Sequence, residues 1–275
     1  MCRLFASPQG EALIIHAFDT ISPPMLALPS FLVSTNHQDI TDTTHTPYQQ
    51  AFNTTLPAFE FLAQPGREKQ FDAFHTTMTA MQDASWMEGL QVLDAAAEQA
   101  GEHESPFFVD VGGGQGHQCI QFLKMYPALK GRVVLQDLSE AVSKSNIDGV
   151  TIQEQDFFTE QSVKGAKFYY LRRILHDWPK EQSKLILAHL AAAMDSESRI
   201  LIDEVALPDM NVSLQAAMRD ITMMVQLAGV ERTQQEWKEL VDAVEDAEGK
   251  KVLEIESVHE YAKDVHGCVT VLKLR

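Results

Sequence analysis

The sequence predicts an α/β protein: a mainly parallel sheet whose last strand is antiparallel, covered by helices and joined to a helical N-terminal region. Three observations lead there. The apolar run Phe107-Phe108-Val109-Asp110-Val111 ends in the glycine cluster Gly112-Gly113-Gly114-Gln115-Gly116 and passes into the helical-looking His117 to Tyr126. Strand-like and helix-like patterns then alternate to the end of the chain. Residues 1–100 lack an alternating strand pattern and carry apolar residues at helical spacing, as in Phe71, Phe74, Met78, Met81 and Trp86 to Leu93.

In order along the chain, Ser22-Pro23-Pro24 and the polar run from Ser34 to Pro47 divide the N-terminal region into short helices and loops. His37 and His45 sit in that polar run without a carboxylate or cysteine at metal-ligand spacing, so they read as solvated loop residues and no metal is expected. Ala95 to Ser105 reads as a helix end, with Gly101 as its C-cap, followed by a linker. The domain boundary is therefore expected there, giving regions 1–100 and 101–275. Strands are expected at 107–111, 132–136, 150–154, 167–175 and 199–206, and helices at 117–126, 139–145, 179–194 and 213–228. Thr233 with Glu236 makes a capping box that opens a helix to about Glu245, and strands 251–257 and 268–274 close the chain.

A length of 275 residues is enough for one large domain, or one of medium size plus a smaller one. The formal net charge of −17, without a local basic patch, sets the chain against nucleic acid and anionic membranes as partners. Met1 to Ser7 lacks the apolar core of a leader, and no stretch approaches the ~18 apolar residues of a membrane span, so a cytoplasmic protein is expected. Cys2, Cys119 and Cys268 are odd in number and far apart, which fits reduced thiols.

A glycine turn between strand and helix lets the backbone approach a nucleotide-like ligand and offers it unpaired N–H groups. The spacing selects the ligand. Glycines at 112, 114 and 116, with His117 where a dinucleotide fingerprint needs its third glycine, weaken a nicotinamide reading. The D-x-G-x-G-x-G form beginning at Asp110 resembles the S-adenosylmethionine (SAM) site of class I methyltransferases, whose sheet is Rossmann-like. An acid at the end of the next strand should then hold the ribose, and Asp137 stands there.

The turn Arg172-Arg173-Ile174-Leu175-His176-Asp177-Trp178-Pro179 follows the fourth strand, where open α/β sheets bind ligands. With Val109 to Gly114, Asp203-Glu204 and Gly229-Val230-Glu231-Arg232-Thr233, the chain from about residue 45 to 275 resembles the caffeate/flavonoid type of SAM-dependent O-methyltransferases, in the form common in fungal natural-product clusters. The resemblance implies His176 as general base and Glu204 and Glu231 as the carboxylates that orient its imidazole. It implies a cofactor set of Asp110, Gly112, Gly114, Gly116, Asp137, Leu138, Asp156, Phe157 and Arg172, with SAM as cofactor and S-adenosylhomocysteine as product. Asp177, Met223, Leu227, Trp86 and Met78 are the expected lining of the acceptor pocket. The partner implied is a small hydroxylated acceptor, aromatic or polyketide-like. Such relatives carry a longer N-terminal region with a dimerisation unit, so the helical region 1–100 is expected as a dimerisation and lid region, with the family's dimer missing or altered.

The chemistry agrees with the implied roles. Methyl transfer from a sulfonium needs an oxygen nucleophile held in line and deprotonated as it attacks. A phenolic hydroxyl with a pKa of about 10 is mostly protonated at neutral pH, and a histidine oriented by a carboxylate is suited to remove the proton. Two other functions fit the same scaffold: a pericyclase or other cyclase that keeps SAM intact, and a non-catalytic SAM-binding relative. A cyclase has no need of a hydroxyl-deprotonating set. Leu175-His176-Asp177-Trp178 lacks the Asn/Asp-Pro-Pro-aromatic motif used to methylate base amino groups.

Overall fold

The computed structural model describes residues 7–80, 84–101, 105–143 and 145–275; Cys2 and Met81 lie outside them. The helices are α1 (Pro8–Ile15), α2 (Ser22–Ser34), α3 (Pro47–Phe52), α4 (Ala58–Leu62), α5 (Glu68–Ala80), α6 (Gln91–Glu98), α7 (His117–Met125), α8 (Ser139–Val142), α9 (Lys180–Ala191), α10 (Leu214–Leu227) and α11 (Gln234–Asp242). The strands are β1 (Phe108–Val111), β2 (Val133–Asp137), β3 (Val150–Glu154), β4 (Phe168–Arg172), β5 (Arg199–Val205), β6 (Leu253–Ala262) and β7 (Gly267–Leu274).

The chain divides into two compact units. The sheet unit comprises Asp83–Leu175, Lys180–Ser213 and Arg232–Arg275. Its seven strands lie in the order β3-β2-β1-β4-β5-β7-β6, parallel except for β7, which runs antiparallel to both neighbours. This is the expected class I methyltransferase sheet. The order reverses between β1 and β4, so the loops leaving their carboxyl ends flank the crevice where such sheets take ligands.

The sheet unit begins earlier than the expected boundary, because Trp86, Met87, Leu90 and Leu93 belong to the same apolar core as Phe108, Phe168 and Tyr170. Strand β4 is shorter than expected. It ends at Arg172 because Arg173 takes a left-handed conformation, φ 52°, and Leu175–Asp177 then form a 3-10 turn. The capping box forms as expected, with the Thr233 hydroxyl and Glu236 carboxylate satisfying each other's backbone N–H at the start of α11.

The helical unit comprises Met1–Gln82, His176–Pro179 and Leu214–Glu231, so α10 belongs to it although more than a hundred residues separate the two in sequence. Thr46, which caps α3, also donates its hydroxyl to the Val225 carbonyl of α10 at 3.2 Å. Ser22-Pro23-Pro24 does not break the chain as expected. The prolines occupy the first turn of α2, where no N–H partner is needed, and a π-helical segment (His16–Ile21) joins α1 to α2.

The resulting run, Pro8–Ser34, is 27 residues long and contains an 18-residue window with a mean hydropathy of 1.2, so by length and composition alone it could cross a membrane. That corrects the expectation that no stretch approaches this length. The apolar residues are spread over joined elements and are interrupted by Glu11 and Asp19. Here α1 packs on α5 and α2 on α3.

Candidate active site

In the sheet unit, β1 delivers the glycine turn. Gly112, Gly114 and Gly116 have φ of 72°, 58° and 76°, which side chains rarely adopt. At Gly113 the constraint is space: a Cβ would stand 2.4 Å from the Asp110 carboxyl carbon. Asp110, expected among the cofactor residues, is only 1% exposed and lies beneath this turn. Its Oδ2 accepts from the Cys119 thiol at 3.4 Å, and burial pushes its carboxyl up to about 7. Its role in the structure is to support the turn from below.

Asp137 stands at the end of β2 with both carboxylate oxygens on backbone: Oδ2 accepts the Gly114 N–H at 2.8 Å and Oδ1 the Leu138 N–H at 2.7 Å. This acid therefore ties the glycine turn to β2. Leu138 is exposed beside it. Phe157 and Ile174 approach Gly112 so closely that a Cβ there would lie 3.5 Å and 2.7 Å from them. Asp156 is exposed and its Oδ1 accepts the Phe158 N–H at 2.9 Å, closing the turn that presents Phe157. A nucleoside fits this arrangement. Phe157 and Ile174 border the glycine turn, nothing stands within 4 Å of where a Gly114 Cβ would lie, and the Asp137 carboxylate meets the turn at the Gly114 N–H. We expect Asp137→Ala to weaken SAM binding tenfold or more by calorimetry; an unchanged dissociation constant would exclude the ribose role.

Arg172, expected at the amino-acid end of the cofactor, is bound by a buried hub that the sequence did not reveal. Asp203 Oδ2 accepts from Arg172 Nη1 and from the Tyr170 hydroxyl, both at 2.6 Å, while Oδ1 accepts from the Tyr261 hydroxyl at 2.6 Å. Neighbouring Glu204 turns to the loop after β4, where its Oε1 accepts the N–H groups of Ile174 and Leu175, each at 2.9 Å. It thus anchors the turn that leads directly into His176.

In the helical unit, His176 is 7% exposed and its Nδ1 lies 2.9 Å from Glu231 Oε1. Asp177 Oδ1 lies 3.4 Å from the other ring nitrogen, Nε2. The backbone closes around the pair, because the Val230 N–H donates to the His176 carbonyl at 2.8 Å, and a Cβ at Gly229 would stand 2.2 Å from that oxygen. Only glycine fits there. Helix α10 adds two charged residues: Asp220 Oδ1 accepts the Glu231 N–H at 2.9 Å, and Arg219 Nε lies 3.9 Å from Glu231 Oε1. Neither was singled out in the sequence, although both lie in the helix expected at 213–228.

Of the residues expected to line an acceptor pocket, Met223 and Leu227 are half-buried one turn apart on α10, and Met78 is half-buried on α5. Trp86 is a correction. It is fully buried in the sheet unit, its ring stacks on Tyr170 at 4.2 Å, and its Nε1 donates to Gln118 Oε1 at 2.7 Å. A stripe of apolar residues is core here, as helical spacing most often signals.

A model of the O-methyltransferase domain family matches residues 34–244. The demethylsterigmatocystin 6-O-methyltransferase of Aspergillus flavus is 37% identical over 243 residues, spanning 87% of this chain and 61% of its own. A solved structure of LepI in complex with SAM is similar with a TM-score of 0.87 and 35% identity, covering 99% of this chain and 69% of that one. A structure described as a pericyclic reaction enzyme is similar with a TM-score of 0.87 and 34% identity, covering 98% of this chain and 69% of that one.

Proposed function

The chain belongs to the O-methyltransferase family, and from that premise we propose that it methylates a hydroxyl of a small aromatic or polyketide-like acceptor, with His176 as general base and no metal. SAM is the cofactor of the family. When bound it supplies an electrophilic methyl group on a sulfonium. The observation that carries the reading is the buried His176–Glu231 pair. With Nδ1 donating to Glu231 at 2.9 Å, Nε2 is left as the proton acceptor.

In this reading His176 Nε2 takes the hydroxyl proton while the acceptor oxygen bonds to the methyl carbon. Glu231 would stabilise the imidazolium that forms, and a bound SAM would supply the methyl group, its sulfur keeping the bond's electron pair as S-adenosylhomocysteine. Glu204 contributes by fixing the Ile174-Leu175 backbone ahead of His176. Asp137 and Phe157 are the residues suited to ribose and adenine, and Met223 and Leu227 supply apolar surface for an acceptor.

The similarity to a pericyclic reaction enzyme favours a second reading, in which the bound sulfonium only polarises a substrate. Incubation with SAM and a panel of phenols and enols, followed by mass spectrometry, separates the two. S-adenosylhomocysteine together with an acceptor heavier by one methylene is the result expected. SAM that binds but is never consumed while an acceptor is isomerised would replace methyl transfer with the cyclase.

A further inference from the structure

Glu231 serves two partners at once. The oxygen that meets His176 Nδ1 at 2.9 Å is also the one that Arg219 Nε approaches at 3.9 Å. This raises a question of charge. A buried carboxylate on an imidazole favours the protonated ring, and a ring that is already protonated cannot accept a proton from a hydroxyl. A second carboxylate adds to that pull, since Asp177 Oδ1 lies 3.4 Å from Nε2.

From this geometry we propose that Arg219 is a positioning residue that keeps His176 in its neutral, proton-accepting form by sharing the Glu231 carboxylate. The proposal rests on the base role of His176 given above. Arg219 touches neither acceptor nor cofactor in this account. Its guanidinium offsets the field of Glu231 at the ring.

Other charged groups near the pair have partners of their own. Arg232, next to Glu231 in sequence, turns its guanidinium to the Leu175 carbonyl at 2.7 Å and to Ser183 Oγ at 3.1 Å. Glu204 is engaged with the amides of Ile174 and Leu175. Asp220 accepts the Glu231 N–H and so fixes the backbone of the shared glutamate. Arg219 and Asp220 are adjacent on α10, so one helical turn sets both the position of Glu231 and the charge beside it. The Glu231 side chain is 1% exposed and that of Arg219 is 23% exposed, so the pair is shielded from most of the solvent screening that weakens surface ion pairs.

The test is an NMR titration of the His176 ring in the full chain, its resonance identified by its loss in His176→Ala. It is followed in parent, Arg219→Gln, Arg219→Met and Arg219→Lys. Without the guanidinium the midpoint is expected to rise by about one pH unit, while the lysine variant stays near the parent. Turnover of the glutamine variant should fall several-fold at neutral pH and return to near the parent value by about pH 9, with SAM affinity unchanged.

A midpoint that does not rise in either charge-free variant overturns the proposal. So does a loss of turnover that is equal at every pH, which would mark Arg219 as a packing residue. If His176→Ala leaves turnover intact, the base role itself fails, and the titration midpoints still judge whether Arg219 sets the protonation of the ring.

Discussion

His176→Ala is expected to lower turnover by roughly 10² or more while SAM affinity stays within about twofold of the parent, because general-base catalysis contributes about 10² to 10⁴. The reasoning follows from the site. The imidazole is buried, held through Nδ1 by Glu231 at 2.9 Å, and its neighbours in the helical unit are other side chains and the Val230 backbone. The residues proposed for SAM are the glycine turn, Asp137 and Phe157, so cofactor affinity is expected to feel little of the loss. Steady-state rates with isothermal titration of SAM give both quantities from one protein preparation. Equal turnover in mutant and parent would remove the base assignment, and a large loss of SAM affinity would mean that the histidine acts on cofactor binding.

Asp203→Ala is expected to destabilise the protein by about 3–5 kcal/mol, the usual consequence of removing one partner of a buried ion pair. Three groups lose their acceptor together: the Arg172 guanidinium and the hydroxyls of Tyr170 and Tyr261, each at 2.6 Å. Tyr170 is fully buried between Trp86 and the sheet, so no solvent replaces the lost bond. Urea denaturation should show a midpoint lowered by about 1 M or more. A midpoint within error of the parent would mean that the hub is hydrated and contributes little.

Local signals in the sequence were read well, and distant ones were not. The glycine turn, the Thr233–Glu236 capping box and the strand and helix order depend on residues a few positions apart, and each was found. The histidine and its glutamate were reached only through the resemblance, for 55 residues separate them. The Asp203 hub was not legible because it forms only once β4 has paired with β5, β5 with β7 and β7 with the distant β6, bringing together residues 33 and 58 positions apart. Trp86 was misplaced for a related reason. Helical spacing shows that a face is apolar but not what it is packed against. The π-helical segment had no sequence signal, since the two prolines after it read more naturally as a break than as the first turn of a helix.

The way the chain threads its two units bears on how it is made. The helical unit opens the sequence but is completed only by residues 214–231, after nearly all of the parallel strands. At roughly 5–20 residues per second of synthesis, the N-terminal helices wait on the order of 10 s or more for α10 to emerge from the ribosome. Leu26 and Phe18 are 81% and 69% exposed even in the finished fold, and until then Thr46 also lacks the Val225 carbonyl it meets there. Completion of the helical unit is therefore set by a late segment of the sequence, residues 214–231, and not by the helices that come first.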